Sequence, residues 1–91
     1  MNYTYMLRCA DDSLYTGWTA DMGRRLQQHQ RGVGGKYTRS RLPVSLLYCE
    51  KHEDRQQAMS REAQIKHLTR KQKIELIRSK EAERSERTEV K

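Results

Sequence analysis

Phenylalanine is absent from this sequence, and tryptophan and proline occur once each. Apolar residues make up 34% of the 91 residues, below the usual share for a globular protein. Any core must therefore be small and assembled from few side chains. The length suits one domain. No apolar run approaches the roughly 18 residues needed to cross a bilayer, which excludes a helical membrane protein. The N-terminal Met1-Asn2-Tyr3-Thr4-Tyr5 lacks the regions of a secretion signal, so a cytoplasmic location is expected. The two cysteines, Cys9 and Cys49, fall in segments that read as strands and could be sheet neighbours. Two distant cysteines without clustered histidines do not make a zinc site. They read as reduced, small apolar fillers.

Acidic residues are also missing, locally, from Gly23 to Leu42, where six basic ones occur: Arg24, Arg25, Arg31, Lys36, Arg39 and Arg41. The whole chain carries a formal net charge of +7. Such a balance favours a polyanionic partner. The basic stretch lacks the apolar helical face that a membrane surface requires, so nucleic acid is the better fit. Its glycines let backbone N–H groups approach a phosphate, and Tyr37 can stack on a base or sugar. The plain alternative is a solvated basic loop.

Residues 3–9 alternate, with Tyr3, Tyr5, Leu7 and Cys9 on one face and Thr4, Met6 and Arg8 on the other. That period predicts a strand. Turn chemistry at residues 10–13 leads into a second strand over 14–18, completing a hairpin. Thr19 is placed to cap a helix beginning at Ala20, which Gly32 ends. Residues 32–43 read as a loop. The apolar run from Val44 to Cys49 predicts a third strand buried on both faces. Asp54 with Gln57, and Thr69 with Gln72, are capping signals for helices reaching about Leu68 and about Ile77. The expected fold class is α/β (α+β), with a three-stranded, mainly antiparallel sheet flanked by three helices in the order β-β-α-β-α-α. Residues 1–79 form the domain. Residues 80–91 have almost nothing to bury and read as a disordered charged tail.

Three further features could carry chemistry. Arg25 and His29 are one helical turn apart on one face, where an arginine can clamp a phosphate and a histidine can hold an oxygen or relay a proton. Ala58, Glu62 and Ile65 share a helical stripe that should face the core, which makes Glu62 costly to bury unless it is paired or bound to metal. A hard oxygen ligand suits magnesium, and an ion pair with Lys66 is the equal alternative. The five tyrosines standing where phenylalanine could serve place Tyr3, Tyr5 and Tyr15 on adjacent strands, with hydroxyls able to converge.

Together these residues resemble the GIY-YIG nuclease superfamily, and its small standalone bacterial (YhbQ-like) members in particular. Tyr3-Thr4-Tyr5 matches the first motif and Tyr15-Thr16-Gly17 the second. Arg25 follows Gly17 by eight residues, the family spacing, and His29 follows one turn later. Arg61 to Lys66 fits the segment carrying the metal-binding glutamate, at Glu62. Tyr3, Thr4 and Thr16 depart from the motif at strand positions, where packing changes and chemistry does not. The resemblance implies a Mg²⁺-dependent (or Mn²⁺-dependent) endonuclease acting on DNA, with RNA as an alternative, in repair or recombination. It implies Tyr5, Tyr15, Arg25, His29 and Glu62 as catalytic residues, Glu62 as metal ligand, and Arg24, Arg31, Lys36, Tyr37, Arg39 and Arg41 as nucleic-acid contacts. Tyr15, Tyr5 and His29 each stand as candidates for the general base. A monomer is expected, with two rival readings: a binding module without catalysis, and a subunit that needs a protein partner to present its substrate.

Overall fold

A computed structural model describes residues 1–89, with side chains as far as residue 82. Strand β1 (Asn2–Arg8) and strand β2 (Leu14–Thr19) form the expected antiparallel hairpin, with Tyr5 opposite Gly17 and Arg8 opposite Leu14. Asp11 builds the turn. Its carboxylate accepts from the Ser13 backbone N–H at 3.1 Å and the Ser13 hydroxyl at 2.6 Å. Strand β3 (Ser45–His52) pairs antiparallel with the other side of β1, with a register shift between Met6 and Leu7. The order is β2-β1-β3, so β1 is central.

Helix α1 (Met22–Gln30) follows β2, and helix α2 (Lys36–Arg39) lies inside the glycine-rich stretch. Helices α3 (Arg55–Lys66) and α4 (Arg70–Glu89) complete the chain. The sheet separates two small cores. Tyr5, Leu7, Cys9 and Val44 pack on one face with Tyr15, Met22 and Leu26. Met6, Tyr48, Ile65 and Ile77 pack on the other with Leu14, Leu47, Leu68 and Leu76. The alternation in residues 3–9 thus maps directly onto the two faces.

Thr4 and Thr16 stand at the two positions where the motifs carry isoleucine, and they fare differently. The Thr4 hydroxyl donates to the Ala58 carbonyl at 2.8 Å, tying β1 to α3. The Thr16 hydroxyl is buried without a partner, which costs roughly 1–3 kcal/mol.

Several expectations need correction. The cap of α1 is Asp21, whose side chain accepts from the Arg24 N–H, not Thr19. Thr19 remains in β2, and its hydroxyl accepts from the Asp21 N–H at 3.1 Å. The 32–43 stretch is not all loop, because α2 interrupts it. Strand β3 begins after Val44, runs on to His52, and is not buried on both faces. It is an edge strand with Tyr48 buried and Leu46 exposed, because helices α3 and α4 cover one face only. Cys9 and Cys49 are both free, but they are not sheet neighbours: Cys49 lies opposite Tyr5, and Cys9 lies beyond the end of β1. Helix α4 continues past the expected domain end at residue 79 as far as Glu89, and Lys80, half-buried on it, donates to the Cys49 carbonyl and lies 5.0 Å from the centre of the Tyr48 ring; residues 90–91 lie outside the described residues. The Thr69–Gln72 box forms as read, with each backbone N–H bonded to the other's side chain. Among the described residues, no helix is long and apolar enough to cross a membrane.

Candidate active site

Tyr5 is the hub. It lies at the middle of β1, 1% exposed, with its ring over Gly17 of β2. A Cβ at position 17 would sit 2.6 Å from the Tyr5 hydroxyl and 3.2 Å from the Tyr15 ring. The second motif needs its glycine for that close approach. Tyr15, two residues earlier on the same face, places its ring 6.4 Å from that of Tyr5.

Helix α1 supplies the next two groups. His29 is 0% exposed. Its Nε2 meets the Tyr5 hydroxyl at 2.9 Å, and its Nδ1 meets the Thr38 hydroxyl of α2 at 2.8 Å. Burial first, and the Arg25 charge second, push its pKa down to about 4, so the ring is neutral at physiological pH. With both nitrogens occupied inside the protein, His29 sits beneath the site and not at its surface. In this geometry neither ring nitrogen is free to meet phosphate or water directly. Gly34 makes this burial possible, since a Cβ there would lie 2.4 Å from His29 Nδ1.

Arg25 is half-buried. Its guanidinium donates to the Gly34 carbonyl at 2.6 Å and to Gln28 Oε1 at 3.1 Å. Both partners are neutral, and no carboxylate pairs with it among the described residues. The positive charge is thus fixed in direction yet not neutralised, the state that suits an incoming anion. Burial raises the Tyr5 phenol above its ordinary pKa. The Arg25 guanidinium opposes that as a hydrogen-bond donor, and Tyr15 and the Glu62 charge add to it. Tyr5 is therefore a protonated phenol that packs near Tyr15 and feels the charges of Arg25 and Glu62.

Glu62 lies on α3, one turn before the buried Ile65, and its carboxylate pairs with Lys66 at 3.6 Å with 22% of the side chain exposed. Of the two alternatives read from the sequence, the ion pair forms, and it leaves the acid partly exposed. Among the described residues there is no group of three or more His, Cys, Asp or Glu side chains that could hold a metal. A lone, accessible carboxylate fits Mg²⁺, which keeps most of its water and commonly uses one or two protein carboxylates.

Four of the basic residues, Arg24, Arg31, Lys36 and Arg39, are exposed. A groove of about 440 Å³ runs beside Arg25, lined by Trp18, Thr19, Asp21, Arg24 and Gln28 among others. Arg41 and Tyr37 are already committed within the protein. The Arg41 guanidinium lies 3.9 Å over the Tyr37 ring and bonds Asp11 at 3.0 Å, and Tyr37 stacks on Tyr15 with ring centres 5.9 Å apart. Tyr3 is half-buried and has no contact with the cluster among the described aromatic pairs. Sequence reasoning missed Gln28, Gly34 and Thr38. Gln28 was within reach, being three residues after Arg25 on the same helix. Of the other two, Gly34 lies in a bend and Thr38 on a helix of four residues, too short to carry a period.

The sequence profile of the GIY-YIG catalytic domain family matches residues 1–75. A UPF0213 protein of Clostridium perfringens is 55% identical over 88% of this chain and 86% of its own. One from Streptococcus sanguinis is 53% identical over 86% of this chain and 90% of its own. The solution structure of a UPF0213 protein from Bacillus halodurans shares 43% identity with a TM-score of 0.59, covering 88% of this chain and 86% of that one.

Proposed function

This chain belongs to the GIY-YIG catalytic domain family, and from that premise we propose that it is a Mg²⁺-dependent phosphodiester hydrolase that cuts within DNA. Membership places it in a nuclease superfamily whose substrates are nucleic acids. The observation that carries the finer reading is the half-buried Arg25, held by two neutral acceptors, beside a tyrosine that also feels Glu62.

In the proposed reaction, water attacks the phosphorus, the bond to the 3′ oxygen breaks, and that oxygen leaves and takes a proton from solvent. Arg25 binds a non-bridging phosphate oxygen and offsets the charge that grows on it. Tyr15, half-buried at the edge of the cluster, orients the attacking water and takes its proton while passing the phenol proton to solvent. Tyr5 assists by hydrogen bonding from below. Its raised pKa keeps it a protonated phenol, which suits it to hydrogen bonding and not to the base's role. His29 acts through Tyr5 as a positioning residue. Glu62 would hold Mg²⁺ together with water and a phosphate oxygen, and when bound that ion supplies Lewis-acid polarisation of the phosphate and compensates charge at the leaving oxygen. Arg24, Arg31, Lys36 and Arg39 bind the flanking backbone.

A cleavage panel tests this, with duplex, branched and single-stranded DNA and with RNA, each with and without Mg²⁺. Metal-dependent cutting of at least one DNA is expected. Binding of every substrate with cleavage of none, in any metal, would leave a binding module in place of an enzyme.

A further inference from the structure

We infer that Thr38 is a positioning residue that fixes which nitrogen of His29 carries the proton, and thereby holds the Tyr5 hydroxyl proton on His29 and leaves the Tyr5 oxygen free to accept. The inference rests on the nuclease reading for its consequence in cleavage, though not for its geometry. A neutral imidazole has one N–H and one lone pair. The two hydroxyls on His29, Tyr5 at 2.9 Å and Thr38 at 2.8 Å, must therefore play opposite roles, one donating and one accepting.

Two observations select the same arrangement. Among the described residues, His29 Nε2 is the one hydrogen-bond partner of the Tyr5 hydroxyl, and so the one acceptor for its proton. The Tyr5 proton then faces His29 Nε2, which leaves the ring proton on Nδ1. At the far end, the Thr38 hydroxyl has an acceptor of its own in the Gly35 carbonyl at 3.5 Å, which frees its oxygen to accept from Nδ1. The chain of donors runs from Tyr5 to His29, to Thr38, to Gly35. Thr38 and His29 are 1% and 0% exposed, so water does not replace either partner. Reversing the ring would leave the Tyr5 proton without an acceptor among the described residues, a costly buried mismatch.

Long-range ¹H–¹⁵N correlation of the His29 ring reads the tautomer directly, in the wild type, Thr38→Ser, Thr38→Val and Thr38→Ala. The wild type and Thr38→Ser should show a protonated Nδ1 and a bare Nε2. Thr38→Val should shift the ring toward the Nε2-protonated form and lower kcat for Mg²⁺-dependent DNA cleavage by about tenfold or more with KM unchanged, and Thr38→Ser should restore it. Should Thr38→Val fail to fold, Thr38→Ala provides the same comparison. A wild-type ring protonated on Nε2 would overturn the inference. So would an unchanged tautomer in both hydroxyl-free variants, or a changed tautomer with undiminished kcat. If the wild type cuts no nucleic acid, the nuclease reading fails, and the ring measurement still decides the tautomer.

Discussion

At the residue scale, the most consequential choice is a histidine buried neutral. His29 has a folded pKa of about 4 against an ordinary 6.5. The unfolded chain therefore binds a proton that the folded one refuses. Stability from this group is complete above pH 6.5 and is lost as pH falls toward 4. Between pH 7.5 and 5 the loss should be about 2 kcal/mol. Urea unfolding at those two pH values, in the wild type and in His29→Gln, measures it as a difference. Equal pH dependence in the two proteins would contradict the buried, neutral ring. Strand period and helical spacing placed Tyr5, Tyr15, Arg25 and Glu62 on their faces, and the motif resemblance singled them out. Thr38 and Gly34 were not legible. Gly34 lies in a bend and Thr38 on a helix of four residues, and no local spacing encodes their contact with His29.

At the scale of elements, the starts of the last two helices were well marked. Asp54 caps α3 through the Gln57 N–H at 2.8 Å, and Thr69 opens α4 as expected. The hairpin and both of its faces followed from alternation and turn residues alone. What sequence could not supply was coverage. The Val44–Cys49 run reads as doubly buried, yet the sheet order places β3 at an edge. A separate polar network holds that edge down. Glu50 accepts from Arg61 Nε with both oxygens at 3.0 Å and meets His52 at 3.2 Å, and Tyr48 donates to it as well. Burial and then the Glu50 carboxylate push the Tyr48 phenol up to about 12. The network pins β3 to α3, away from the tyrosine cluster. Glu50→Gln should therefore lower the stability by about 1–3 kcal/mol and leave cleavage per folded molecule unchanged. Urea midpoints and rates, measured together, check this; a lost rate with intact stability would tie the network to the chemistry.

At the scale of the whole molecule, a net charge of +7 is divided between basic groups that serve the fold and basic groups left exposed. Arg41 and Arg61 belong to the first kind, through Asp11 and Glu50. Lys36 and Arg39 belong to the second. Binding to duplex DNA should weaken steeply with salt, with a slope of about −0.9 in log–log form for each phosphate contacted. Lys36→Ala and Arg39→Ala should each reduce that slope by about 1, and Arg41→Ala should reduce it less. Titrations at several salt concentrations separate the two kinds, and an equal effect from Arg41 would show that its contacts in the free protein yield to DNA.

The reading as a nuclease depends on a guanidinium and a carboxylate acting on one phosphate. Single-turnover cleavage of DNA in Mg²⁺, with the wild type, Arg25→Ala and Glu62→Ala each saturating the substrate, isolates that step from binding. Each variant should be slower by about 10²-fold or more, with Glu62→Ala still binding DNA nearly as tightly as the wild type. Cleavage at the wild-type rate by either variant would contradict the account.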